Sequence, residues 1–100
     1  MASLFGWLRS TPRRLDHLHF VFYTRQGCHL CDDARALLEP YRERHGFTLE
    51  FVDVDGDSAL VAQHGNCVPV VSVNGKVRFR GRVNKVLLER LLEAESNRPQ

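Results

Sequence analysis

This 100-residue chain has few cysteines, little net charge and no long apolar run, and each deficit excludes a class of protein. Three cysteines are too few for a disulfide-stapled scaffold, and an odd number cannot pair completely within one chain. A formal net charge of +2 is too weak to indicate nucleic-acid binding by itself. No apolar stretch approaches the roughly 20 residues of a transmembrane helix. The composition, with 43% hydrophobic residues, therefore favours one small globular domain.

Both ends of the chain are predicted to lie outside this domain. Residues 1–17 form a leader that contains Arg9, Arg13 and Arg14 and no acidic residue before Asp16. We expect this leader to be poorly ordered, and a transit peptide or a surface-seeking arm is the alternative. It lacks the basic start and the apolar core of a secretory signal, so we expect a cytoplasmic protein. The domain itself is predicted over residues 18–95, followed by a polar tail over 96–100.

The motif Cys28-His29-Leu30-Cys31 lies between a strand-like run and a helix-like segment. The strand, His19 to Thr24, is apolar on both faces, which predicts a central position in a sheet. The helix is predicted over residues 28–45, and Pro40 should kink or shorten it. At this junction the first sulfur meets backbone N–H groups that carry roughly half a positive charge. Those groups favour a thiolate, which is the physical basis of a reactive cysteine pair.

The rest of the chain continues to alternate, and the full predicted order is β-α-β-α-β-β-α. Because a crossover helix joins the first two strands, we expect them to be parallel. The later strands meet at Asn74-Gly75, whose residues both tolerate positive φ and therefore favour a hairpin. The predicted elements are a strand from Phe47 to Val54, a helix capped by Asp57 or Ser58 and ending near Gly65, strands Pro69 to Val73 and Lys76 to Phe79, and a last helix capped by Asn84.

The last strand alternates basic and apolar residues. This pattern predicts one apolar face and one basic face, which suits an outer strand guarded against edge pairing. A docking surface for an acidic partner protein is the alternative interpretation, and the lack of interleaved aromatic residues argues against nucleic acid. The basic residues are Lys76, Arg78, Arg80 and Arg82, and the residues between them are Val77, Phe79 and Gly81.

This element order, with C-x-x-C after the first strand and Val68-Pro69 opening the third, resembles the thioredoxin fold in its glutaredoxin form. The resemblance covers roughly residues 18–94, and the stretch from Tyr23 to Cys31 looks like that of small glutaredoxin-like proteins. It implies an α/β fold with a four-stranded mixed sheet, strand order 2-1-3-4, flanked by helices. It also implies that Pro69 is cis and faces Cys28, and that the Val68 backbone pairs with the substrate.

Three departures from the glutaredoxin pattern concern glutathione. His29-Leu30 replaces the usual Pro-Tyr between the cysteines, and Cys67 stands where glutathione-binding members have threonine. The stretch from Gly81 to Asn84 has one glycine and no acidic residue, where those members have two glycines and an acid. We therefore expect no tightly bound cofactor, and glutathione stays open as a co-substrate although these departures argue against its recognition.

The leading hypothesis is an oxidoreductase that reduces disulfides through a dithiol. Cys28 is the predicted nucleophile, partly exposed, and Cys31, one turn later and more buried, is predicted to release the product. Arg25 is a candidate for binding substrate anions. Cys67 is either a third redox thiol near the proline or, as we favour, a small hydrophobe in the core. The expected partner is a disulfide-containing protein or small thiol substrate, the reductant is unknown, and the protein is expected to be a monomer.

Two rival functions stay open at this point. In the first, the chain is a non-catalytic module that binds a partner protein or a metal on a thioredoxin-like scaffold. The candidate zinc ligands are Cys28, Cys31, Cys67 and a histidine, His29 or His64, but the lack of a second C-x-x-C makes us expect no metal. In the second, the chain is a glutathione-linked enzyme that needs only Cys28.

Overall fold

The fold, described here for residues 14–97 from a computed structural model, is a mixed four-stranded sheet with three helices. Strand β2 pairs parallel with β1, and β3 pairs antiparallel with both β1 and β4. The order across the sheet is β2-β1-β3-β4, which confirms the predicted order. The elements are β1 (His19–Thr24), α1 (His29–His45), β2 (Thr48–Asp53), a 3₁₀ turn (Val54–Gly56), α2 (Ser58–His64), β3 (Val70–Val73), β4 (Lys76–Arg80) and α3 (Lys85–Ser96).

The main core lies between one face of the sheet and the helices α1 and α3. Phe20 and Phe22 of β1 are buried on this face, and the Phe20 ring stacks on Phe47 with centroids 4.1 Å apart. The other sheet face is covered by α2, because α2 and the alternate β1 residues line the same cavity. The remaining core residues come mainly from the two large helices and β3: Ala34, Leu38, Val71, Val73, Leu88, Leu91 and Leu92.

Most helix boundaries follow the capping residues that the sequence indicated. The Asn84 side chain accepts a hydrogen bond from the Leu87 backbone at 3.0 Å, and Asp57 caps α2 in the same way. Helix α1 ends at Gly46, whose φ of 76° is easily adopted only by glycine. Pro40 lies inside α1 without shortening it, so that part of the prediction is wrong.

The predicted alternation along β4 is wrong because a β-bulge interrupts it. Val71 is opposite Phe79, yet the next residue, Ser72, is opposite Val77. The extra residue, Arg78, therefore turns Val77 to the α2 face while Phe79 stays in the main core. The strand therefore presents an apolar residue to each face. Its arginines are divided in the same way, because Arg78 lines a hollow with α3 and Arg80 lines the cavity on the α2 face.

The core begins upstream of the predicted domain boundary. Leu15, placed in the leader by sequence, is fully buried, and its backbone N–H donates to the His45 carbonyl at 2.7 Å. Residues 1–13 of the leader lie outside the described residues, as do residues 98–100 of the predicted tail. The packed unit therefore includes at least residue 15, because an apolar side chain at that position completes the end of α1.

Candidate functional site

The two cysteines of C-x-x-C lie at the start of α1 and form a disulfide. Cys28 is the N-cap of the helix, with φ −97° and ψ 105°, and its Sγ accepts a hydrogen bond from the Cys31 backbone N–H at 3.1 Å. The two Cα atoms are 5.2 Å apart, within the range that a disulfide spans. The sulfur of Cys28 thus receives both a backbone donor and the positive end of a 17-residue helix.

The two sulfurs differ in accessibility, as the sequence predicted. Cys28 is half-buried, whereas only 3% of Cys31 is exposed and it belongs to the main core. An incoming disulfide can therefore reach Cys28 and not Cys31. The pair consists of one accessible sulfur and one shielded sulfur that are already within bonding distance of each other.

The loop before β3 lies at the same end of the sheet as the cysteine pair. The Val68–Pro69 peptide bond is cis, as the resemblance implied, and Pro69 is fully buried. Val70, the next residue, pairs with Tyr23 at the end of β1, so the loops that carry Cys28 and Pro69 emerge side by side. Cys28 and Val68 are both half-buried and pack against the same core cluster.

Cys67 is exposed and outside any disulfide, so the preferred interpretation as a buried hydrophobe is wrong. Its backbone N–H donates to the His64 carbonyl at 2.9 Å, at the end of α2. The reason for the exposure is the short connection between α2 and Pro69, which runs over the surface. The sequence alone could not distinguish this loop position from a core position.

Arg25 is bound to a carboxylate and a carbonyl on neighbouring loops. Its Nη2 and Nε donate to the Asp55 carboxylate at 2.7 and 3.3 Å, and its Nη1 donates to the Gly65 carbonyl at 2.8 Å. The hydrogen bond from Arg25 lowers the pKa of Asp55, and the same contact raises the pKa of Arg25. These contacts tie the loop before Cys28 to the loop after β2 and to the end of α2. Sequence reasoning missed Asp55, which lies in an acidic run that otherwise reads as a turn.

A groove beside the disulfide was not predicted from the sequence. It has a volume of about 270 Å³, and its walls come from α1 and from the β4–α3 connection. Leu30, between the two cysteines, is 41% exposed and lines it. The only signal in the sequence was an apolar residue at an exposed helix start. Its lining residues are Leu30, Asp33, Ala34, Leu37, Arg82 and Val83.

Metal and membrane interpretations receive no geometric support over residues 14–97. In that range no three histidine, cysteine, aspartate or glutamate side chains come together in a way that could hold a metal ion. His64, one of the histidines considered for zinc, is buried, and its ring lies 4.7 Å from that of Tyr23. Within the same residues, no helix combines the length and apolar character that crossing a bilayer requires.

Comparison with known proteins agrees with this arrangement. The family described as Glutaredoxin-like domain (DUF836) matches residues 19–93. A curated glutaredoxin-like protein of Dictyostelium discoideum is 31% identical over 74 residues, which are 68% of each chain. A solved Xanthomonas protein (X. campestris) is 29% identical with TM-score 0.63, covering 75% of this chain and 96% of its own. A thioredoxin of Halobacterium salinarum, at 19% identity and TM-score 0.62, shares the fold over 83% of this chain and 78% of its own.

Proposed function

Because the chain belongs to the glutaredoxin-like domain family, we propose that it is a thiol–disulfide oxidoreductase that reduces disulfides through Cys28 and Cys31. One observation carries the proposal: an accessible sulfur at a helix N-cap is disulfide-bonded to a shielded sulfur one turn later. A four-residue loop closed by this bridge stabilises the fold by only about 2 kcal/mol on the chain-entropy model. A bridge of that size at an exposed edge favours a working pair over a staple.

In the reduced protein, the Cys28 sulfur attacks as a thiolate. The Cys31 backbone N–H and the N-terminus of α1 both point toward this sulfur and stabilise negative charge on it. Cys31 is buried in an apolar core, which favours its neutral thiol until Cys28 has formed the mixed disulfide that Cys31 attacks. The order of reaction therefore follows from the surroundings of each sulfur.

The reaction proceeds in two displacements. The Cys28 thiolate forms a bond to one sulfur of the substrate disulfide, the substrate S–S bond breaks, and the departing thiolate takes a proton from water. Cys31 then loses its proton and attacks the Cys28 sulfur, which restores the Cys28–Cys31 disulfide and releases the second substrate thiol. Two electrons pass from the dithiol to the substrate. An external thiol or dithiol reductant reverses the sequence and returns the protein to its reduced form.

The residues around the pair orient the substrate in this proposal. The backbone of Val68, next to the cis Pro69, lies at the same sheet end as Cys28 and offers an extended segment beside it. Exposed Cys67 is next to this segment and contacts the substrate chain. Arg25 donates hydrogen bonds to Asp55 and Gly65 and so fixes the loop that carries Cys28. Through this loop it contributes to substrate binding. No tightly bound cofactor takes part.

Single cysteine variants test the proposal with a small disulfide substrate. Cys28→Ser should abolish turnover, because the attacking sulfur is gone. Cys31→Ser should stop after the first displacement and accumulate a mixed disulfide on Cys28, which intact mass spectrometry detects as a single adduct. If Cys28→Ser reduces the substrate as fast as the parent protein, the assignment is wrong.

Cys67→Ser is the matched control, since it removes one exposed thiol outside the pair. The Cys28–Cys31 disulfide should still form and be reduced in it, as counted by alkylation before and after reductant. The same Cys31→Ser protein also tests the monothiol rival. That rival requires sustained activity of Cys31→Ser with glutathione as donor, whereas the dithiol mechanism requires loss of activity. Stoichiometric zinc after purification, with unreactive thiols, would favour the binding-module rival.

We propose that the enzyme is located in the cytoplasm and that it is a monomer. A reduced compartment suits an accessible cysteine pair that must be regenerated by thiols. Light scattering on the purified full chain and fractionation of the producing cells measure these two properties.

A further inference from the structure

Six basic residues follow one another along the edge strand β4, the β4–α3 connection and the first half of α3. We call this surface the basic edge, and it consists of Lys76, Arg78, Arg80, Arg82, Lys85 and Arg90. All six are exposed. Strand β4, which carries three of them, is the outermost strand of the sheet, and no other strand formed by residues 14–97 covers its free side.

The basic edge is not neutralised by the rest of the fold. None of its six side chains forms an ion pair or side-chain hydrogen bond with any residue between 14 and 97. The span 76–90 contains one acidic residue, Glu89, and that carboxylate accepts a hydrogen bond from Tyr41 at 2.6 Å. The other 11 of the 12 acidic residues lie elsewhere in the chain. A nearly neutral protein thus has one strongly positive side.

Apolar side chains lie among these charges. Val86 and Leu87, on the first turn of α3, are 55% and 52% exposed. Leu87 lines a hollow of about 260 Å³ between β4 and α3, and Arg78 and Arg90 line it too. An exposed aliphatic pair with unpaired arginines around it is typical of a protein interface, where arginine and apolar groups are enriched.

The basic edge is continuous with the redox site. Arg82 lines the groove that Leu30 also lines, and Leu30 lies between the two cysteines. A partner that covers the basic edge and this groove would therefore contact Leu30, two residues from Cys28. A ligand confined to the opposite sheet face would not.

From this continuity we infer that the basic edge is the docking surface for an acidic protein, which places its own disulfide or dithiol at Cys28. This inference deepens the proposed function, on which it rests, by naming the partner class. Charge complementarity selects an acidic partner, and the aliphatic residues Val86 and Leu87 supply the contact that excludes water. A nucleic acid is disfavoured because none of the exposed residues among these charges is an aromatic that could stack on bases.

Amide chemical-shift titration of the oxidised, ¹⁵N-labelled full chain tests the docking surface without turnover. The probes are two peptides of equal length that each contain the same two central aliphatic residues. One peptide is rich in aspartate and glutamate, and the other is rich in lysine. The acidic peptide should shift amides of β4 and of the start of α3, and the basic peptide should not. Arg78→Glu with Arg82→Glu should weaken the binding of the acidic peptide roughly tenfold at 0.1 M salt, since two attractions become repulsions and both side chains line the hollow or the groove of this surface.

Arg14→Glu with Arg44→Glu is the matched control, because it changes the net charge equally and both residues lie outside the basic edge. It should leave the affinity for the acidic peptide within about twofold of the parent at 0.1 M salt, because neither side chain lines the hollow or the groove of the docking surface. Equal losses of affinity in the two double variants, or no amide shifts on adding the acidic peptide, would overturn the proposed docking surface. So would tighter binding of a single-stranded oligonucleotide to the same amides. These results do not depend on Cys28→Ser, so docking can fail while the redox assignment stands, and the reverse.

Discussion

Reduction of the Cys28–Cys31 disulfide should lower the free energy of unfolding only slightly. The bridge closes a loop of four residues, for which the chain-entropy model gives about 2 kcal/mol at 25 °C. The reduced protein regains part of this, because the Cys28 thiolate keeps the Cys31 N–H donor and the helix N-terminus, worth about 0.3–1 kcal/mol for the helix dipole. The expected net loss is therefore about 1–2 kcal/mol.

Urea denaturation of the full chain measures this difference. The assay compares the oxidised protein with the same protein in excess phosphine reductant, in the Cys67→Ser background so that no third thiol can exchange. With a slope of about 2 kcal/mol per molar urea, the midpoint should fall by about 0.5–1 M. The double variant Cys28→Ser/Cys31→Ser, treated with and without reductant, controls for effects of the phosphine.

A much larger loss of unfolding free energy on reduction would show that the Cys28–Cys31 disulfide is mainly structural. If the free energy of unfolding fell by more than about 4 kcal/mol, the bridge would be a structural staple of the kind that small secreted domains need. The pair could then not cycle without partly unfolding the start of α1. The stability of the bridge would then no longer favour a working pair.

Three further predictions concern individual contacts. Asn84→Ala should lower the free energy of unfolding by about 1 kcal/mol, since the Leu87 N–H loses its cap, whereas Asn84→Ser should retain most of it in urea denaturation. His64→Phe should raise the free energy of unfolding by about 1 kcal/mol in the same assay, because the buried Nδ1 has no hydrogen-bond partner among residues 14–97 and its removal ends a desolvation penalty. A loss of stability would contradict this. The lowered pKa of Asp55 means that its pair with Arg25 stabilises the fold above the ordinary carboxyl pKa. This contribution should disappear as the pH falls through the folded pKa, so Arg25→Gln should flatten the acid limb of the stability–pH curve, and an unchanged curve would contradict the assignment.

Local sequence signals predicted most of the fold because they act over short distances. Asn74 and Gly75 both have positive φ in the turn, as a two-residue hairpin requires. Asn84 begins α3 by accepting a hydrogen bond from a residue three positions later, and α2 ends at His64, directly before the predicted Gly65. The position of Cys28 at the N-cap of α1 belongs to the same class, since it follows from a strand, a cap and a helix in direct succession.

Pro40, which α1 contains without being shortened, is a local error, whereas the other errors concern how the elements align and pack. The bulge at Arg78 depends on how β4 aligns with β3, and one extra residue moved Val77 to the opposite face. The exposure of Cys67 depends on the path of the chain between α2 and Pro69. Leu15 is buried where its backbone N–H donates to the His45 carbonyl at the end of α1, a contact that no local sequence pattern predicts.

The placement of the cysteine pair was therefore determined by local sequence, and the residues that surround the pair were determined by tertiary packing. A thiol at a helix start and a second one turn later are specified by four consecutive residues, because N-cap hydrogen bonding spans a single turn. Which sulfur is shielded, how Arg25 meets Asp55, and how Arg82 comes to line the groove beside Leu30 required the sheet and helices to assemble. Side chains many residues apart meet only when the fold forms, so tertiary structure alone determined what stands around the cysteine pair.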